Sequence, residues 1–403
     1  MAVGSKDKRR SCYPLPTAHC QLLTALRILH LSSARALGGG ERHLADLAGA
    51  LQERGHEVYA ALPSTSPLRA ELNALPATNI FTLRLRNALD IGSALELARH
   101  VRDHRIEIVH AHVARDYPLA ALAVSRASPA KLIITRHVLF RLNRLHAVTF
   151  RQARRVIAVS QAVGRSLAAQ KIFPARKITV IPNGIDFRRF DASLQGFDRE
   201  ALRRRMKIPA GSVFVGTVGE IKRQKGHEEY LRAAAIIARE KSNVHFVIAG
   251  GDSTRTGEHR AHLERLVAEL NLTGRVHLTG WLDDIAPLLS ALDVYVSASH
   301  TESFGLAIVE AMAAGRAVVA TATEGAREII DDEEKGIIVA VGDHQAMAAS
   351  VLNLLEDDNS RARIGKLAQA HARERFSLDR MVDATEQVYF EVQETEDRSQ
   401  ETE

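Results

Sequence analysis

Two α/β domains in one chain, each built on a parallel sheet, are what this sequence predicts. Three observations carry that expectation. The chain has 403 residues, too many for one typical domain of ~100–200 residues and enough for two. Apolar runs of strand character alternate with stretches at helical spacing, the pattern of βαβ units. The alternation breaks at a polar, charged stretch over residues 186–209 and then starts again.

The first series begins near Leu26. Residues 27–32 read as a buried strand that runs into the glycine loop Gly38-Gly39-Gly40. Leu44, Leu47, Ala48 and Leu51 then fall at helical spacing, and Gly55 stands where a C-terminal glycine would end that helix. Residues 57–62 are the next strand. Further strands are expected at 80–83, 106–111, 131–135, 156–159 and 178–181, and helices at 92–104, 118–127, 142–152 and 161–170. Pro182-Asn183-Gly184 is a turn signal.

The second series has strands at 213–218, 244–249, 275–278, 294–296, 317–320 and 336–339. Helices at 228–239, 258–270 and 305–314 lie between them, and two more close the chain. The expected division is an extension over 1–25, a first domain over 26–190, a linker over 191–210 and a second domain over 211–375. A helix over 376–390 should pack back toward the first domain, ahead of a frayed acidic tail over 391–403.

Composition narrows the functional classes. Hydrophobic residues at 46% and charged residues at 25% exclude wholesale disorder. No apolar run reaches the ~18 residues of a membrane span. The basic start at Lys6, Lys8, Arg9 and Arg10 is followed by Pro14, Pro16, His19 and Gln21, which break any signal-peptide core, so a cytoplasmic location is expected. The only cysteines are Cys12 and Cys20, which leaves no disulfide framework or cysteine zinc site for the body of the chain. The net charge of +6 draws nucleic acid, anionic membrane and phosphorylated substrates alike.

Ligands of α/β sheets bind at the C-terminal ends of strands, so two such domains point to a cleft between them. One loop there carries chemistry. His300-Thr301-Glu302-Ser303-Phe304-Gly305-Leu306 runs into a helix bearing Glu310. A helix N-terminus exposes backbone N–H groups that suit a diphosphate, and Gly305 lets it approach. Glu310 can accept hydrogen bonds from ribose hydroxyls, and Glu302 stands on the side where a donor sugar would sit.

The segment Glu302-Ser303-Phe304-Gly305-Leu306-Ala307-Ile308-Val309-Glu310 resembles the Glu-x7-Glu motif of family 4 glycosyltransferases, which have the GT-B fold. Further matches run in family order from Leu26 to Tyr389. They include Gly38-Gly39-Gly40-Glu41, His110-Ala111-His112, Thr135-Arg136-His137, Ile181-Pro182-Asn183-Gly184, Gly219, Lys225-Gly226 and Ala249-Gly250-Gly251. The resemblance implies two Rossmann-like domains facing across a cleft and a retaining transfer from a UDP- or GDP-sugar. The acceptor it implies is a glycan or lipid-linked saccharide of the cell-surface or lipopolysaccharide type. Glu302, His137 and Lys225 take the catalytic positions, and Gly39, Gly40, Gly219, Ser303, Phe304, Gly305, Leu306 and Glu310 the donor-binding ones.

No cofactor or metal is expected, and the chain contains no Asp-x-Asp. Protein cations must then offset the charge of the departing diphosphate. The family places an arginine before Lys225 where this chain has Glu220, so either Lys222 or Arg223 substitutes or the site is weaker; Arg223 is favoured because a guanidinium forks onto two phosphate oxygens. His110 and His112 alternate on a strand end, so only one of them can face the cleft and contact a ligand, and packing is the alternative role. Trp281 is a candidate border of the base, and Asp116 a candidate on the acceptor side.

Residues 131–160 hold Lys131, Arg136, Arg141, Arg144, Arg151, Arg154 and Arg155 with no acid, interleaved with large apolar side chains. Either this is a solvated face, or it meets an anionic membrane or phosphorylated lipid at the cytoplasmic surface. No nucleic-acid motif accompanies it. A related epimerase and a catalytically silent two-domain binding protein are the competing readings, the latter supported by Glu220.

Overall fold

The computed structural model describes residues 25–142, 146–172, 174–252, 254 and 256–400. Cys12, Cys20 and Arg144 therefore lie outside the described residues.

The first sheet has seven parallel strands. They are β1 (Arg27–Leu31), β2 (Glu57–Leu62), β3 (Ile80–Thr82), β4 (Ile108–Ala111), β5 (Lys131–Arg136), β6 (Ala153–Ala158) and β7 (Ile178–Val180), in the order β3-β2-β1-β4-β5-β6-β7. The second sheet has six: β8 (Val213–Val218), β9 (Val244–Ala249), β10 (Val276–Gly280), β11 (Val294–Ser297), β12 (Ala317–Thr321) and β13 (Ile337–Val339). Their order is β10-β9-β8-β11-β12-β13. All pairings are parallel. Strands covered on both faces by helices must be apolar along their whole length, and β12 is buried at every residue.

Each sheet reverses its winding once, between β1 and β4 in the first and between β8 and β11 in the second. The loops that leave these strands diverge at the reversal and open a crevice. This topology decides where a ligand can sit.

Residues 191–210 are more structured than a linker. Asp198 accepts from Ala201 N at 2.9 Å and caps the helix Arg199–Arg205, which packs on the helix Ala286–Ala291. Arg203 is buried and donates to the carbonyls of Ser212 and Ala291 and to Asp293, while Arg199 reaches Asp293 at 2.6 Å. The basic residues of this helix thus tie the second half of the stretch to the C-terminal domain.

The final helix, Leu378–Gln400, crosses back onto the N-terminal domain and lies against the helix Gly39–Glu53. His56 Nε2 meets Glu386 Oε1 at 2.8 Å, and Arg54 pairs with Glu386 and Asp383. The helix continues past residue 391, where a tail was expected, because Val392 is buried with Val388 and Tyr389. The crossing needs Gly184, where a Cβ would sit 2.5 Å from the Ser377 carbonyl oxygen.

Candidate active site

The loops leaving β1, β4, β5, β8, β9, β10 and β11 line one cleft of about 910 Å³ between the two sheets. Gly39, Gly40, His137, Gly219, Lys225, Glu302, Ser303, Phe304, Gly305, Leu306 and Glu310 all line it. Residues 270 positions apart in sequence thus meet at one site.

On the C-terminal side, Gly305 caps the helix Leu306–Ala313 with φ +116, a backbone conformation that disfavours any side chain. The first N–H groups of that helix have no partner within it and the dipole favours an anion there. Lys225 Nζ donates to Glu302 Oε2 at 2.6 Å, and Ser299 Oγ reaches the same oxygen at 3.4 Å. Lys225 arches over Gly219, where a Cβ would stand 3.2 Å from its Cδ. Gly226 follows with φ +65, and a Cβ there would meet the Ala298 carbonyl oxygen at 1.9 Å. A glycine is therefore obligatory for the loop that aims Lys225 at Glu302.

Glu310 is half-buried on the helix beyond Gly305. Burial pushes its carboxyl up to about 6, while Arg42 and Arg189 pull it down and Asp46 adds to the rise. Trp281, half-exposed, lines the same end, with its Nε1 donating to Asp283 Oδ1 at 3.0 Å.

On the N-terminal side, the glycine loop brings two surfaces together. A Cβ on Gly39 would lie 3.1 Å from Leu306 Cδ1 across the cleft, and one on Gly40 would lie 3.4 Å from the His137 ring. His137 is held neutral, well below the ordinary histidine range, chiefly by burial. Its Nδ1 has no protein partner and its Nε2 is 3.4 Å from His112 Nδ1.

Three expectations are corrected. Arg223 is exposed and lines a separate cavity of about 90 Å³ with His227, His259, His262 and His300. Lys222, Gln224 and Lys225 line the cleft, whereas Arg223 lines only the smaller cavity, which Lys222 borders as well. Lys222 there pairs with Glu220 at 2.6 Å. Neither His110 nor His112 lines the cleft. Both are buried with ring centroids 4.2 Å apart, because His112 lies past the end of β4 and strand alternation no longer applies. Asp116 is buried, accepts from Ser33 N at 2.7 Å and holds the loop after β1.

The basic stretch is not one face either. Lys131 and Arg136 are buried in β5, and Arg155 pairs with Glu391 of the last helix at 3.7 Å. Arg141, Arg151 and Arg154 remain at the surface beside exposed Val138, Phe140 and Val148. No described helix is long and apolar enough to cross a membrane.

Sequence reasoning missed Arg35, Arg42 and Arg115, which line the N-terminal side of the cleft. Their signal is weak: arginines near a glycine loop or a strand end are also ordinary surface residues.

A two-Rossmann-domain scaffold with a cleft of about 910 Å³ at both topological reversals defines a class of nucleotide-binding folds. Two family matches make the assignment specific. Glycosyltransferase Family 4 matches residues 37–189 and Glycosyl transferases group 1 matches residues 198–371, and the chain belongs to this glycosyltransferase family.

Among relatives, the chain is 34% identical to D-inositol 3-phosphate glycosyltransferase of Salinispora tropica over 250 residues, 60% of this chain and 51% of that one. It is 31% identical to the lipopolysaccharide core biosynthesis glycosyltransferase LpsE of Rhizobium meliloti over 45% of this chain and 51% of that one. It thus spans about half the length of these relatives. With N-acetyl-alpha-D-glucosaminyl L-malate synthase of Bacillus anthracis it shares 25% identity over 89% of this chain and 95% of that one. The fold is shared with HepE of Anabaena, solved in complex with UDP and glucose, at a TM-score of 0.79 and 23% identity over 90% of this chain and 99% of that one. A glycosyltransferase from Rickettsia africae superposes at 0.81, again with 23% identity, over 92% and 99%.

Proposed function

We propose that the chain transfers a sugar, with retention, from a nucleoside-diphosphate sugar to a glycan or lipid-linked saccharide. UDP is the first-choice base and GDP the second. The observation that carries this reading is the Lys225–Glu302 pair at 2.6 Å, set at a glycine-capped helix N-terminus with Glu310 one to two turns further on. The spacing fits a nucleotide-sugar laid along the helix start: ribose at Glu310, diphosphate at the helix N-terminus, sugar at Glu302. UDP bound to HepE, which has the same fold, supports the donor class.

When the bond from the anomeric carbon to the diphosphate breaks, negative charge grows on the leaving oxygens and positive charge on the sugar. Lys225 and the helix N–H groups offset the first, and the Glu302 carboxylate offsets the second and orients sugar hydroxyls. His137 lines the cleft from the opposite domain, where it would meet a hydroxyl of the donor sugar. No Mg²⁺ or Mn²⁺ bridges the diphosphate in this reading. Exposed Phe140 and Val148 beside Arg141, Arg151 and Arg154 bring the N-terminal domain to an anionic lipid surface where a lipid-linked acceptor resides.

Thermal shift with UDP-, GDP- and ADP-sugars tests the donor. A ligand at 100 times its dissociation constant stabilises by about 2.7 kcal/mol. Release of free nucleoside diphosphate with and without acceptor, and with no added Mg²⁺ or Mn²⁺, tests the reaction. Stabilisation by a sugar nucleotide without any turnover would leave a binding protein in its place, and interconversion of the sugar without release of nucleotide would leave an epimerase.

A further inference from the structure

Five histidines meet under the N-terminal side of the cleft. His30 comes from β1, His43 from the helix Gly39–Glu53, His110 and His112 from the end of β4, and His137 from the end of β5. Their neighbouring ring centroids are 4.2–5.9 Å apart. Four of the five are buried and His137 is half-buried.

A neutral imidazole carries one N–H and one bare lone pair, so a closed cluster must match each lone pair with a donor. This cluster does not close. His110 is satisfied by Tyr389 Oη and Thr135 Oγ1, both at 2.6 Å, and His30 Nδ1 meets His112 Nε2 at 3.0 Å. His30 Nε2, both nitrogens of His43 and His137 Nδ1 are buried with no hydrogen-bond partner.

His43, His112 and His137 each place a nitrogen within 4.8 Å of the other two. His112 Nδ1 and His137 Nε2 are 3.4 Å apart, long for an N–H···N bond. That spacing is close to the edge, roughly 3.4 Å, of a tetrahedron with metal–nitrogen bonds of about 2.0–2.1 Å. A metal-bound histidine almost always donates its second nitrogen to an acceptor. Here His112 Nε2 has His30 Nδ1, and His43 lies beside Asn183, whose buried, unpaired Oδ1 is available as the acceptor. His137 is half-buried and lines the cleft, so the trio reaches the cleft wall through that ring.

The alternative trio of His30, His110 and His112 is also close, but both His110 nitrogens are already engaged. Neither trio includes a carboxylate, so Mg²⁺ and Ca²⁺ find no hard ligand, whereas an all-imidazole set suits zinc, copper or nickel.

We infer that His43, His112 and His137 form a binding site for a late first-row divalent ion, zinc foremost, with His30 and Asn183 orienting two of the three rings. The site lies apart from the helix N-terminus that receives the diphosphate, so it leaves the role of Lys225 unchanged. It also stands on the N-terminal domain's own residues and does not depend on the transfer reaction.

The test uses the full chain prepared without a polyhistidine tag, stripped with a chelator and dialysed against Co²⁺ or Zn²⁺. The expected result is one retained equivalent, with the strong visible absorption of tetrahedral Co²⁺ that Zn²⁺ displaces. His43→Leu and His112→Leu should abolish retention, Asn183→Ala should weaken it roughly 10–100-fold, and His262→Ala in the other domain should not change it. If His43→Leu or His112→Leu fails to fold, His137→Ala, at the cleft edge, should show the same loss. No retained metal in folded wild-type protein, a weak octahedral Co²⁺ spectrum, or equal retention by the folded His43, His112 and His137 variants overturns the inference. UDP thermal shift on the same samples separates the two readings. Metal lost with UDP binding intact removes only this site, and UDP binding absent with metal retained removes only the proposed function.

Discussion

Lys225→Ala isolates the cation that the cleft supplies to the diphosphate. In the free enzyme the Lys225 ammonium sits 2.6 Å from Glu302, and both side chains are mostly covered, at 23% and 17% exposure. Two unit charges ~4 Å apart interact by about 4 kcal/mol at an effective dielectric constant of 20. Only the part that grows as the C–O bond breaks accelerates the reaction, and the half-open cleft screens some of that. A loss of roughly 2–3 kcal/mol, or ~30–150-fold in kcat/KM, is the resulting expectation. The fold should barely notice, because a partly exposed pair contributes ~0–1 kcal/mol, a melting shift of at most ~2–4 °C. Steady-state kinetics on a UDP-sugar with a parallel melting curve measures both. A kcat/KM within threefold of wild type would show that Lys225 is only the structural partner of Glu302. A large fall in melting temperature with proportionate loss of activity would show the same.

Glu302→Gln keeps the shape but removes the charge, and should cut turnover at least ~100-fold in the same assay. Lys222→Ala should reduce kcat/KM while Arg223→Ala stays near wild type, since only the former side chain lines the cleft; the reverse order would contradict the geometry of the turn. Glu310 should make donor affinity fall as pH drops through about 6, because burial raises its carboxyl and the ribose needs the ionised form. The same raised value means that ionising Glu310 costs folding stability as pH climbs from below 4.5 through about 6, and Glu310→Gln should flatten both profiles in calorimetric titrations and melts. Co-sedimentation with anionic vesicles should be seen at low salt and be lost at high salt, and Phe140→Ser with Arg141→Ala should weaken it. Equal pelleting with neutral vesicles would argue against a charge-driven surface.

The order of elements was legible because strand and helix periods are local properties of the chain. β8 and β9 start and stop at the residues that alternation indicates, and Gly305, Gly226 and Glu302 stand out because left-handed backbone and a helix N-terminus leave local signatures. The side of the donor loop on which each cation lies was not legible. Arg223 looked like the better phosphate ligand by chemistry, but the fold sets Lys222 and Lys225 on the cleft and Arg223 on the smaller cavity. The contact of Gly39 with Leu306, the burial of Lys131 and Arg136, and the ion pair of Arg155 with Glu391 depend on which distant segments the fold places side by side. So does the gathering of His30, His43, His112 and His137, which are separated by up to 107 positions in sequence. Periodicity and backbone preference act over a few residues, so the sequence by itself determined the two α/β units and the motif loops. Which side chains share one cavity is set by the strand order at the two reversals, a long-range property that only the tertiary structure decided.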